Sequence, residues 1–365
     1  MITFAKGRPA LAGLAALLAL GLILGSALPA PASAQSLGQF KRQWGQYKQQ
    51  FMLEDGRILD TGNENVSHTE GQGTGMLFAV FANDQASFDM IWNWTRGHLR
   101  RRDRLFSWKW DVNHPQGPVP DPNNATDGDL LISWALLLGA ELWQSPAYQA
   151  SADEIIQSLE RLVLDRFAGR VLVLPGVQGF RNKGVRILNP SYCLFPALDA
   201  IAAHTGRPIW TEAYRGCLSL VRSASFGDQR LPVDWIALTS RGTLTPAPDW
   251  PTRFGYDAIR VPLYLAWGGH KGRADLERFA DAWSQVPRNA PPPSWIDPIT
   301  GETARYRASN GFLATRQLVR FALYLDDQRL RDAEAVRFPT ISRFDDYYSA
   351  SLLMFSSLAA MTMAL

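Results

Sequence analysis

Three short segments place carboxyl groups where apolar helices begin, and carboxyl groups so placed are candidates for moving protons. Thr69-Glu70-Gly71-Gln72-Gly73-Thr74-Gly75-Met76 leads into the apolar run Leu77-Phe78-Ala79-Val80. Three glycines at alternate positions are poor helix formers. At a helix start they point to close approach of another backbone or of a ligand. A negative charge near a helix N-terminus is favourable in itself, and that alone would also account for Glu70. Asn123-Asn124-Ala125-Thr126-Asp127-Gly128-Asp129 leads into Leu130-Leu131-Ile132-Ser133-Trp134. Thr126 or Asp127 can cap that helix, with Asp129 in its first turn, where a structural role is expected for Asp129. In Phe254-Gly255-Tyr256-Asp257-Ala258-Ile259-Arg260-Val261-Pro262, Asp257 and Arg260 stand three apart, the spacing of a surface ion pair on a helix. Their apolar neighbours, and a proline that interrupts the start of the helix, favour a cleft wall instead.

Other chemistries lack their residues. His68, His98, His114, His204 and His270 are scattered, without a His-x-x-x-His pair, so no metal or other cofactor is expected. His68, two residues before Glu70, either lines a cleft or has an ordinary structural role. There is no Gly-x-Ser-x-Gly elbow and no phosphate loop. Cys193 and Cys217 each lie in an apolar helical pattern and are read as buried free thiols, with pairing in an oxidising compartment as the alternative. Thirteen tryptophans are a heavy load for this length, and aromatic faces suit the apolar C–H faces of sugar rings.

The elements that must position these residues are helices. Apolar periodicity predicts about twelve, over 37–52, 70–83, 85–100, 127–144, 147–163, 191–204, 207–224, 255–268, 271–286, 309–325, 327–336 and 344–363. Short connections alternate with long irregular stretches at 53–69, 101–126, 164–190, 225–254 and 287–308, which are expected to carry function or small local strands. Val171-Leu172-Val173-Leu174 is one expected strand. Helical hairpins with long loops on alternate connections suit a closed ring with a cleft at one end, although an open solenoid would read similarly.

The N-terminus reads as an export signal. Lys6 and Arg8 precede an apolar run from about Leu11 to Leu28, and Ala32-x-Ala34 fits a cleavage site before Gln35. Residues 1–34 are therefore expected to be removed, leaving 35–365 as one domain, periplasmic or secreted, with no stable membrane insertion. Removal takes away two basic residues and no acidic one, so the formal charge falls from +3 to +1. A near-neutral surface excludes the concentrated basic patch that nucleic acid requires and suits a neutral substrate.

The carboxylate segments together resemble glycoside hydrolase family 8. That family's Ser-Glu-Gly-Gln-Gly-Tyr-Gly-Met pattern is met by residues 69–76, with Thr69 and Thr74 as departures. The match continues through Asn83-Asp84, Phe88-Asp89, Trp92, Trp94 and Thr95, Ala-Thr-Asp-Gly-Asp at 125–129, and Trp134-Ala135-Leu136-Leu137. It extends through Asn189-Pro190-Ser191-Tyr192, Tyr-Asp-Ala-Ile-Arg-Val at 256–261 and Asp346-Tyr347-Tyr348. In length and export signal the chain is most similar to the members encoded with bacterial cellulose synthase.

The resemblance implies an all-α (α/α)6 barrel, with long loops forming a substrate cleft at one end. It also implies hydrolysis of a β-1,4-glucan chain with inversion at the anomeric centre. Glu70 would then be the general acid and Asp257 the general base. Inversion asks for carboxyl groups about 6.5–9.5 Å apart, leaving room for a water. Asp127 would hold the distorted sugar and keep Glu70 protonated, and Arg260 would orient Asp257 and keep it ionised. Trp108, Tyr192, Tyr256, Arg260 and Tyr347 (or its neighbour Tyr348) are the expected substrate-binding residues, and the small Thr74 puts subsite shape near Glu70 in question. Other readings keep the fold and change the polymer to chitosan, mixed-linkage glucan or xylan, or make the chain a non-catalytic glucan-binding protein. A functional association with a cellulose synthase complex is a further expectation.

Overall fold

The computed structural model describes residues 36–270, 272–326 and 336–363. Eleven α-helices are described: α1 (Leu37–Phe51), α2 (Thr69–Ala82), α3 (Gln85–His98), α4 (Thr126–Leu142), α5 (Pro146–Leu162), α6 (Phe195–Thr205), α7 (Pro208–Ser223), α8 (Arg260–Trp267), α9 (Arg273–Ala282), α10 (Asn310–Asp326) and α11 (Tyr347–Met363). The expected leader over 1–34 lies outside the described residues, as does all but the last residue of the helix expected over 327–336.

Local chemistry sets the helix ends. Ser36, Asp84 and Ser145 cap α1, α3 and α5 by accepting main-chain N–H bonds, and prolines open α5 and α7. Burial then sorts the helices into two layers. In α1 the buried side chains are Phe40, Gln43, Trp44, Tyr47 and Phe51, the three- and four-residue spacing of a one-faced helix. In α2 every residue but Glu70 is buried, and α4 and α11 are nearly as enclosed, as helices surrounded by others must be.

The enclosed helices form the inner layer of an (α/α)6 barrel. Their side chains meet across its middle: Trp134 of α4 lies 5.2 Å from Trp267 of α8, and Trp267 lies 5.8 Å from Phe355 of α11. Phe78 of α2 meets Phe355 at 5.1 Å, so the first inner helix touches the last. That contact closes the ring and settles the choice that helix periodicity left open.

The long connections carry small antiparallel strands. β1 (Ser67–His68) pairs with β2 (Lys109–Trp110), and β3 (Leu164–Phe167) with β4 (Arg170–Val173), where a strand was expected. β5 (Arg181–Asn182), β6 (Val185–Leu188), β7 (Ile236–Thr239) and β8 (Leu244–Pro246) form a four-stranded antiparallel sheet in chain order, with α6 and α7 between β6 and β7. The β1–β2 pair draws the loop bearing Trp108 onto the start of α2, and β6 runs directly into Asn189–Tyr192. Several boundaries differ from the sequence reading: α6 begins at Phe195, not 191, α9 ends at Ala282, not 286, α11 begins at Tyr347, not 344, and α8 begins at Arg260, not 255. Pro262 therefore sits in its first turn, where a missing N–H costs nothing.

Candidate active site

The inner helices present their N-termini at one end of the barrel, and the candidate residues gather there. Glu70 is the second residue of α2 and Asp127 the second of α4. Asp257 lies in the turn before α8, and Arg260 is that helix's first residue. Gly128 lets the starts of α2 and α4 touch. A Cβ at that position would fall 2.1 Å from the Thr69 hydroxyl and 2.8 Å from the Glu70 nitrogen. One turn on, a Cβ at Gly73 would meet Leu131 at 2.6 Å, so glycine serves close helix approach here as its pattern predicted.

Arg260 ties the carboxylates together. Its Nη1 lies 2.7 Å from Glu70 Oε2 and 3.7 Å from Asp127 Oδ2, and its Nη2 donates to Asp257 Oδ1 at 2.7 Å and to the Ser191 hydroxyl at 3.1 Å. The sequence expectation joined Arg260 to Asp257; the structure makes it a bridge between Asp257 and Glu70. Its side chain is 5 % exposed, so this is no surface ion pair. Asp257 is the most open of the three carboxylates at 32 % and Asp127 the least at 7 %.

These groups line a cavity of about 210 Å³, with Trp108 and Tyr192 in its wall. Trp108 is held by a 2.8 Å bond from its Nε1 to Asp121. Tyr256, 50 % exposed, is not part of that wall; its ring lies tilted against Tyr348 (5.8 Å) and edge-on to Phe312 (5.4 Å). Tyr347 departs from expectation. It is 1 % exposed and packs on Tyr47, Phe51 and His68, which puts it behind the site where no sugar reaches it. Its neighbour Tyr348 is less buried and donates its hydroxyl to the Tyr256 carbonyl.

Burial and crowding of negative charge set the proton affinities. Asp127 is pushed up to about 7, first by burial and then by the charge of Glu70, with Arg260 opposing. Burial also raises Asp257, with Arg260 opposing and Glu70 adding to the rise. Asp129, buried beneath the site, is pushed up to about 8 chiefly by burial, against the bonds it accepts from Asn124 (2.8 Å) and the Phe106 N–H (3.1 Å). Those two bonds bear out the structural role expected for Asp129.

His68 both lines the cavity and caps α2. Its Nδ1 accepts the Gly71 N–H at 3.0 Å, so the proton of the neutral ring sits on Nε2, 3.1 Å from Asp60. Burial works against a charged ring, but Asp60 and the negative Glu70 outweigh it and raise its pKa. Asp60 has no motif to announce it, because only the folded 53–69 loop brings it to His68. Ser191 and Asn189 stood within a familial segment, yet their contact with Arg260 and Asp257 depends on the β6 strand that delivers them.

Known proteins share this arrangement of sequence and fold. The family model for glycosyl hydrolases family 8 matches residues 19–362. An endoglucanase of Cellulomonas uda is 43 % identical over 276 residues, 75 % of this chain and 76 % of its own length. A probable endoglucanase of Novacetimonas hansenii is 40 % identical over 86 % of this chain and 88 % of its own. The crystal structure of endoglucanase Cel10 from Klebsiella pneumoniae superposes with a TM-score of 0.80 at 41 % identity, covering 88 % of this chain and 99 % of that one.

Proposed function

The chain belongs to glycosyl hydrolases family 8, and from that premise we propose that it is an endo-β-1,4-glucanase cleaving cellulose-type chains with inversion. One observation carries the reading: a single guanidinium holds Glu70 and Asp257 on either side of a cavity, each at 2.7 Å. Those two bonds and the width of the guanidinium keep the bonded oxygens within about 8 Å of each other, which is compatible with a carboxyl pair that admits a water between sugar and base.

Glu70 protonates the departing glycosidic oxygen. Asp257, the more open carboxylate, takes a proton from the water that attacks the anomeric carbon from the opposite face. Asp127, beside Glu70 and pushed up to about 7, holds the sugar at the cleavage point, and the proton delivered to the leaving oxygen is Glu70's own. Trp108 and Tyr192 offer ring faces and hydroxyl contacts to the sugars next to the scissile bond, with Tyr256 farther out. Arg260 orients both reacting carboxylates. We place the enzyme outside the cytoplasm, acting on glucan during cellulose synthesis or export. The Lys6/Arg8, apolar run and Ala32-x-Ala34 pattern supports this, and no described helix is long and apolar enough to cross a membrane.

The test is release of reducing ends from carboxymethyl cellulose, glucomannan, chitosan and xylan, with the product anomer read by NMR. Carboxymethyl cellulose should be the preferred polymer and the first-formed anomer inverted. Glu70→Gln and Asp257→Asn should each lose about 10²–10⁴ in kcat. Preference for chitosan or xylan would replace the substrate reading, and net retention would end the two-carboxylate assignment.

A further inference from the structure

Asp234 stands behind Asp257 and outside the cavity wall, in the segment that enters β7. Its Oδ1 accepts two main-chain bonds, from the Gly255 N–H at 3.0 Å and from the Ala258 N–H at 2.7 Å. These N–H groups flank Asp257 in the turn that precedes α8. Asp234 is itself fixed, because its own N–H donates to the Arg253 carbonyl at 2.7 Å. Its second oxygen lies over Gly255, so close that a Cβ there would fall 2.7 Å from it. A larger residue at 255 would push the carboxylate off the turn.

We propose that Asp234 is a positioning residue for hydrolysis, clamping the turn that aims Asp257 at the attacking water. This rests on the reading of Asp257 as general base. Two N–H bonds onto one carboxylate oxygen hold the turn against rotation, and a general base displaced by about 1 Å can lose on the order of 10²-fold in rate. Asp234 faces Asp257 and, beyond it, Arg260, while Glu70 and Tyr192 face Asp257 from α2 and from the segment after β6. Burial and then the charge of Asp257 push Asp234 up to about 7, so it keeps its proton while Asp257 ionises and adds no negative charge behind the base at acid pH.

Two variants separate the clamp from a purely structural part. Asp234→Asn keeps an oxygen for both N–H bonds and removes the charge; Asp234→Ala removes both. Turnover is measured from pH 4 to pH 9 on whichever polymer the wild type cleaves, beside Asp257→Asn. Asp234→Ala should lose about 10–100-fold in kcat with KM within about twofold. Asp234→Asn should recover most of that kcat and leave the acid limb in place, because Asp234 is already protonated where Asp257 ionises. Wild-type kcat in Asp234→Ala overturns the clamp. So does an Asn variant as impaired as Ala. If the Ala variant does not fold, Gly255→Ala, whose Cβ would fall 2.7 Å from Asp234 Oδ2, decides in its place: kcat lowered with KM held supports the proposal and wild-type kcat overturns it. Full activity in Asp257→Asn would instead sink the general-base reading, a distinct result.

Discussion

Replacing Arg260 with methionine tests the electrostatics of the site most directly. The substitution keeps chain length and removes the charge that lies 2.7 Å from Glu70, 2.7 Å from Asp257 and 3.7 Å from Asp127, at a side chain only 5 % exposed. Removing one partner of a buried ion pair costs about 3–5 kcal/mol, because the remaining charges are left uncompensated. A chain of this size unfolds with an entropy near 0.7 kcal/mol per degree, so the melting temperature should fall by about 4–7 °C at pH 8. The carboxylates can escape the penalty by taking up protons, and this gives the prediction its sign. Arg260 lowers the proton affinity of Asp127 and Asp257. Without it their folded pKa values rise further above the unfolded value near 3.9. A group raised on folding costs nothing below its unfolded pKa, and its cost grows until the pH passes its folded pKa. The deficit against wild type should therefore be small near pH 4.5 and complete by about pH 8. In turnover, the acid limb should move upward by about a unit, because Asp257 must lose its proton to act as base. Melting by calorimetry and reducing-end assays over the same buffers supply both readouts. A deficit equal at pH 4.5 and pH 8, or an unmoved acid limb, would refute the bridge described for Arg260.

Two further outcomes follow from geometry. Gly128→Ala puts a methyl group 2.1 Å from the Thr69 hydroxyl and 2.8 Å from the Glu70 nitrogen, so α2 and α4 must separate; stability should fall by about 1–3 kcal/mol in chemical denaturation, with kcat falling more than KM rises. Trp108→Ala removes an aromatic wall of the cavity and should raise KM by about 5–30-fold, with a smaller change in kcat, as loss of about 1–2 kcal/mol of uniform binding requires.

Much of this was legible because the inner helices advertise themselves. The apolar runs after Glu70 and Asp127 have no polar face, and only a helix enclosed by others can use such a sequence. Closure was not legible, since the Phe78–Phe355 contact joins residues at opposite ends of the chain that no periodicity relates. At the site, Glu70, Asp127, Asp257 and Arg260 stood in recognisable spacings and come together. Tyr347 and Tyr348 could not be told apart by sequence: adjacent helical residues point about 100° apart, and here one faces the core and the other the rim. Asp234 carried no signal, for it lies well before Asp257 in a loop, and its worth lies entirely in two N–H groups it meets after folding.

The barrel's geometry also raises a conflict that magnitudes resolve. Placing Glu70 and Asp127 at helix N-termini favours their charged forms, by about 0.3–1 kcal/mol each at exposed sites and about 2 kcal/mol in buried ones. Asp127 nevertheless rises from its ordinary range to about 7, a differential of about 4 kcal/mol in the opposite sense. Burial and the charge of Glu70 therefore outweigh both the helix and Arg260. The sequence expectation ran the other way, with Asp127 holding the proton on Glu70; here the charge of Glu70 raises the proton affinity of Asp127. Arg260 alone cannot satisfy three carboxylates at once, its distance to Asp127 being 1 Å longer than to the other two. The carboxylate it serves least is the one that keeps a proton. Shortening that contact would lower the proton affinity of Asp127, against the larger effects of burial and of Glu70.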